Sequence, residues 1–137
     1  MENDITVTAV INAPIEKVWE GWTKPEAIKN WNAASADWHT PSAKNDLRPG
    51  GRFVYRMEAK DGSLGFDFSG KYYSVLPGEL LLFKLDDNRD VSVLFETSGN
   101  QTVITEKFEA ESQHSKELQQ QGWQAILDNF KKYIESL

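Results

Sequence analysis

Cysteine is absent from this chain. That excludes disulfides, thiolate nucleophiles and cysteine-ligated metals, and it fits a reducing cytosol. Histidine is scarce, with His39 and His114 far apart and the carboxylates scattered, so no metal site is expected and no cofactor is implied. Long hydrophobic runs are missing too. Runs such as Leu80-Leu81-Leu82-Phe83 are far too short to span a bilayer, and no membrane insertion is expected. Positive charge is in deficit: Lys plus Arg number 15 against 21 Asp plus Glu, a net charge of −6. An acidic chain repels phosphate backbones, which argues against nucleic acid as a partner. There is no internal repeat, low-complexity tract or linker, so the 137 residues read as one domain over 1–137. The opening Met1-Glu2-Asn3-Asp4 is polar and acidic, unlike a signal peptide. The expectation is a cytoplasmic protein, a monomer or weak homodimer.

What the chain does have is aromatic content, 12% of its residues, and one long amphipathic stretch at its end. From Ser115 to Leu137 the apolar positions Leu118, Trp123, Ile126, Leu127, Phe130, Tyr133, Ile134 and Leu137 recur mostly at steps of three and four, the helical period. Such a helix is roughly 35 Å long, enough to cross a small domain. The charged and amide residues between those positions leave one side of it to solvent.

The rest reads mostly as strand. Ile5 to Ile11 is β-branched and alternating; Ala13-Pro14 ends it, with Pro14 suited to the first position of a helix. Ile15, Val18, Trp19 and Trp22 share the face of a short helix that Gly21 is expected to stop. A second short helix is expected from Thr23, with Glu26 at capping-box spacing and Ala27, Ile28 and Trp31 on its apolar face. Asn32 to Asp46 is expected as an irregular functional loop, with Trp31 before it and Trp38 within it as lining or lid residues. After the Pro49-Gly50-Gly51 turn, Arg52 to Lys60 alternates, with Phe53, Tyr55, Met57 and Ala59 on one face. Further strands follow at Gly65–Val75, Leu80–Leu85, Val91–Glu96 and Gln101–Ala110, separated by turns about every ten residues, as in an antiparallel meander.

Five stretches, in order, resemble a known superfamily. Ala13-Pro14-Ile15-Glu16-Lys17-Val18-Trp19 resembles the opening of START-like, helix-grip (SRPBCC) domains, and Lys24-Pro25-Glu26 with Ile28 and Trp31 resembles their next motif. Asp46-Leu47-Arg48-Pro49-Gly50-Gly51-Arg52-Phe53 resembles a motif of one branch, the bacterial homologues of the activator of the ninety-kilodalton heat-shock chaperone's ATPase. Gly70-Lys71-Tyr72 before Pro77, and Gly122-Trp123 with Ile126-Leu127, are also similar. The resemblance implies an α+β helix-grip fold: a curved antiparallel sheet of about six or seven strands wrapped around the long C-terminal helix, with two short helices after the first strand. Superfamily members bind lipids, sterols or polyketides, cyclise polyketides, or act as co-chaperones.

A wide curved sheet is hard for one helix to cover tightly, and its inner face here is aromatic. The expected function is therefore binding of a small apolar, aromatic or lipid-like ligand in a cavity between sheet and helix. The candidate lining residues are Trp31, Trp38, Phe53, Tyr55, Phe66 and Phe68, with Tyr72, Phe95, Trp123, Ile126 and Phe130; His39 and the tyrosines would orient the ligand. Ordinary core packing explains the same aromatics. Gly122, mid-helix, suggests close approach of a neighbour or a ligand. Asp46 and Arg48 fit a pocket mouth, but turn chemistry explains them fully. The resemblance also implies a chaperone partner as an alternative. A cyclase or hydrolase would need a polar constellation inside the cavity, for which only His39, Tyr55 and Tyr72 are in view, so no catalytic residue is assigned.

Overall fold

The computed structural model describes residues 3–137; of the acidic opening, Met1 and Glu2 lie outside the described residues. The elements in order are β1 (Asp4–Ile11), α1 (Ile15–Thr23), α2 (Pro25–Trp31), β2 (Trp38–Asn45), β3 (Arg52–Ala59), β4 (Gly65–Leu76), β5 (Leu80–Leu85), β6 (Asp90–Ser98), β7 (Gln101–Glu109) and α3 (Lys116–Glu135). The strands form one antiparallel sheet ordered β1-β7-β6-β5-β4-β3-β2, curved into a half-barrel around α3. This is the α+β helix-grip fold.

Local chemistry explains most boundaries. Ser115 caps α3, its hydroxyl accepting the Leu118 N–H at 3.1 Å. Pro25 lacks an N–H and opens α2 at a position where none is needed. The Thr23 hydroxyl closes α1 instead of capping α2, donating to the Trp19 carbonyl at 2.7 Å, so the expected capping box is not formed. Pro14 is the residue before α1, one position earlier than expected.

Two departures matter more. Gly21 does not stop α1; it sits inside it because α3 crosses there, and a Cβ at Gly21 would collide with the Ile134 side chain. And Asn32 to Asp46 is not a loop throughout. Residues 38–45 form the edge strand β2 on β3, with a register shift between His39 and Ser42 that accommodates Pro41. Proline is tolerated at an edge or a bulge, and this position is both.

The core fills the space between the concave sheet face, the two short helices and the C-terminal half of α3. Leu127, Phe130 and Ile134 are fully buried there. Phe130 meets Trp22 and Trp31 edge-on, both at 4.9 Å between ring centres, and Phe95 meets Trp19 and Trp22 from the sheet side. At the outer edge of β1, α3 side chains occupy backbone acceptors: Lys131 Nζ donates to the Val10 carbonyl at 2.7 Å and Gln124 Nε2 to that of Thr8 at 3.1 Å. Glu135 accepts both from Lys131 and from the Asn12 N–H just beyond β1. No helix among the described residues is long and apolar enough to cross a membrane.

Candidate functional site

Toward the N-terminal half of α3 the packing opens. A pocket of about 330 Å³ lies between the helix and strands β3, β4, β5 and β7. Alternation along β3 aims Phe53, Tyr55 and Met57 into it, and Tyr72 enters from β4. Phe53 is the hub, with ring centres of Tyr55, Tyr72 and Phe83 at 5.1, 5.4 and 5.0 Å. The helix contributes Trp123 and Ile126, the latter directly before the fully buried Leu127. Trp123 lies flat on Phe108, ring centres 3.7 Å apart, with Phe68 edge-on to it. Trp22 and Trp31 form the inner end, stacked at 5.0 Å, and the Trp31 indole donates to the Gly21 carbonyl.

Of the residues proposed from sequence, Trp31, Phe53, Tyr55, Phe66, Phe68, Tyr72, Trp123 and Ile126 meet around this pocket. Phe66 does so at the rim, 48% exposed. Trp38 is outside the wall, against Phe66 at 6.0 Å. His39 also stands away from it, half-buried on β2, with Nε2 4.0 Å from Glu58. Phe95 and Phe130 belong to the closed core described above. The Asp46–Arg48 pair lies apart from the pocket in the turn, where Arg48 Nε meets both carboxylate oxygens at 3.0 Å. Gly122 has nothing within 4 Å of where a Cβ would stand, so close approach of a neighbour does not account for it.

The polar groups of the pocket are few. Tyr72 donates to Asn45 Oδ1 at 2.7 Å, and Asn45 in turn donates to the Thr23 carbonyl. The Tyr55 hydroxyl neighbours that of Tyr72. Burial pushes the Tyr72 hydroxyl up to about 12 and that of Tyr55 well above its usual value, with the neighbouring Tyr72 and Glu106 adding to the latter. Both are protonated at any physiological pH. Arg89, Glu111, His114 and Gln119 stand at the opening. Arg89 is held by Asp87 and the Glu109 carbonyl, and His114 Nδ1 is 3.0 Å from Glu111.

Sequence reasoning passed over one residue: Glu106. It projects from β7 into the pocket, 8% exposed, in register with the buried Val7 and Val93 on either side. Burial raises its carboxyl from 4.5 to about 8. The signal was available, since Thr102, Ile104, Glu106 and Phe108 share one parity and that parity faces inward. Among the described residues no cluster of three or more His, Asp and Glu side chains is placed to hold a metal ion.

The chain matches the family model "Activator of Hsp90 ATPase homolog 1-like protein" over residues 12–135. It belongs to the AHSA1-like family. An AHSA1-like protein from Aeromonas hydrophila is 48% identical, with 97% of this chain and 92% of that one covered and a TM-score of 0.92. A protein from Cytophaga hutchinsonii is 47% identical over 98% of this chain and 93% of its own, TM-score 0.85. A Nitrosomonas europaea protein, 21% identical over 98% and 96%, shares the fold at TM-score 0.83. Among proteins of curated function none matches the chain. The AHSA1-like family includes both co-chaperone-like proteins and START-like ligand binders.

Proposed function

We propose that this AHSA1-like protein binds a small apolar, aromatic or lipid-like molecule between its sheet and the N-terminal half of α3. What supports the reading is the aromatic wall around a pocket of about 330 Å³, in a molecule whose same helix is closely packed from Leu127 onward. The volume falls in the range of ordinary ligand sites. Transfer of apolar ligand surface from water, at roughly 25 cal/mol per Å², supplies the driving force. Phe53, Tyr55, Phe68, Tyr72, Trp123 and Ile126 would make the contact, with Trp31 at the inner end and Phe66 at the rim.

The experiment is native mass spectrometry of protein purified from cells, followed by denaturation to release any passenger. A reproducible co-purified small molecule is the expected result. An apo mass, together with unchanged tryptophan fluorescence across a panel of lipids and aromatics, would sink the proposal. Weight would then move to the ninety-kilodalton chaperone as a protein partner, tested by pull-down.

A further inference from the structure

Six polar side chains are buried among the described residues: Thr23, Asn32, Thr40, Thr102, Glu106 and Gln119. Five are held. Thr23 donates to the Trp19 carbonyl and Thr102 to that of Ala13. Asn32 and Thr40 bond each other, and Gln119 donates to the carbonyls of Glu111 and His114. Glu106 has no hydrogen-bond partner among the described residues, and its side chain lines the aromatic pocket beside Tyr55. Its carboxyl oxygens are not sealed off but open onto the pocket, where no donor among the described residues meets them. It is the group in this pocket whose hydrogen-bonding capacity the protein does not use.

We propose that the pocket selects neutral apolar molecules bearing a hydrogen-bond-accepting oxygen, such as an aromatic ketone, and that the Glu106 carboxyl O–H donates a hydrogen bond to that oxygen. The inference rests on the ligand-binding reading above and names the ligand class. The other titratable or charged groups lining the pocket are Tyr55, Tyr72, Arg89, Glu111 and His114. Arg89 is committed to Asp87 and Glu109, and Tyr72 to Asn45. His114 stands against Glu111 at 3.0 Å, so no lining cation among the described residues is paired with Glu106, and burial keeps it protonated at neutral pH. A protonated carboxyl keeps its O–H and can donate a hydrogen bond to a ketone oxygen, with no charge brought into the apolar space. An organic amine would instead require two buried charges, whose desolvation tends to cancel their attraction.

Three probes of one skeleton test this: benzophenone, diphenylmethane and benzhydrylamine, bound to the full-length protein and measured by equilibrium dialysis at pH 6.5 and 9.5. Benzophenone is expected to bind about tenfold tighter than diphenylmethane at pH 6.5, the fold-change one added hydrogen bond gives. At pH 9.5 that advantage is expected to shrink to less than about twofold, because the donor is lost. Glu106→Leu should abolish the ketone's advantage while leaving diphenylmethane bound, which also shows that the pocket is intact. Glu106→Gln keeps an N–H donor and should keep the advantage, now independent of pH. Equal binding of ketone and hydrocarbon, or tightest binding of the amine, overturns this inference and leaves the ligand-binding reading standing. Failure of all three probes to bind overturns both.

Discussion

The two halves of α3 meet the same sheet on different terms. Its C-terminal half is closed, with Leu127, Phe130 and Ile134 fully buried against the tryptophans of α1 and α2. Its N-terminal half is open, with Trp123 and Ile126 only half-buried over the pocket and Leu118 54% exposed. The short helices make the difference. They fill the wedge at one end, and among the described residues no helix does so at the other. One continuous helix thus divides into an anchor and a roof, and substitutions at the two ends should read out differently.

The largest effect is expected at the anchor. Phe130→Ala removes a fully buried ring and should cost about 3–5 kcal/mol. Ile126→Ala, on the roof, should cost only roughly 1–2 kcal/mol because the side chain is already half in the open. Urea unfolding midpoints of the two variants decide it; equal losses would erase the distinction between the ends.

Next comes Glu106, beneath the roof. Its folded value, about 8, lies above the ordinary 4.5, so between those limits the folded chain holds more of the proton than the unfolded chain does. Stability should therefore be full below pH 4.5, fall as pH rises, and level off above 8. At pH 7 the loss is roughly 3 kcal/mol. Glu106→Gln abolishes this titration, so its stability relative to the parent should rise between pH 5 and 8. A difference between the two that does not vary with pH would refute the assignment.

The two glycines on either side of the comparison should shift stability in opposite directions, with Gly122 giving the smallest effect of all. Gly21→Ala drives a methyl into the buried Ile134 and should cost about 1–3 kcal/mol. Gly122→Ala meets open space and should raise stability by up to about 1 kcal/mol. Thermal melts of both, run together, give opposite shifts if the helix is anchored at one end and free at the other.

Periodicity made much of this fold legible. The alternation of Phe53, Tyr55, Met57 and Ala59 fixed a face, and all four are buried. The three-and-four spacing of α3 located its packed stripe. Parity gives a face but not a depth, which is why Phe66, in phase with Tyr72, ends at the rim. It was also not applied to β7, where it would have turned Glu106 inward. The strand β2 was not legible, because Pro41, Ser42, Lys44 and Asn45 carry little strand preference and its pairing is supplied by β3. Gly21 misled because a helix-weakening residue was retained for a crossing that only tertiary structure shows. The pocket aromatics were legible as types, but which of them face open space depends on where the short helices stop filling the wedge.

The treatment of the sheet's two borders has a consequence for self-association. Unpaired strand borders are where sheets recruit one another and grow into fibrils. Here Lys131 and Gln124 occupy carbonyls along β1, while Pro41 and the register shift interrupt β2. Both borders of the half-barrel are thereby made poorer templates for a strand of another copy.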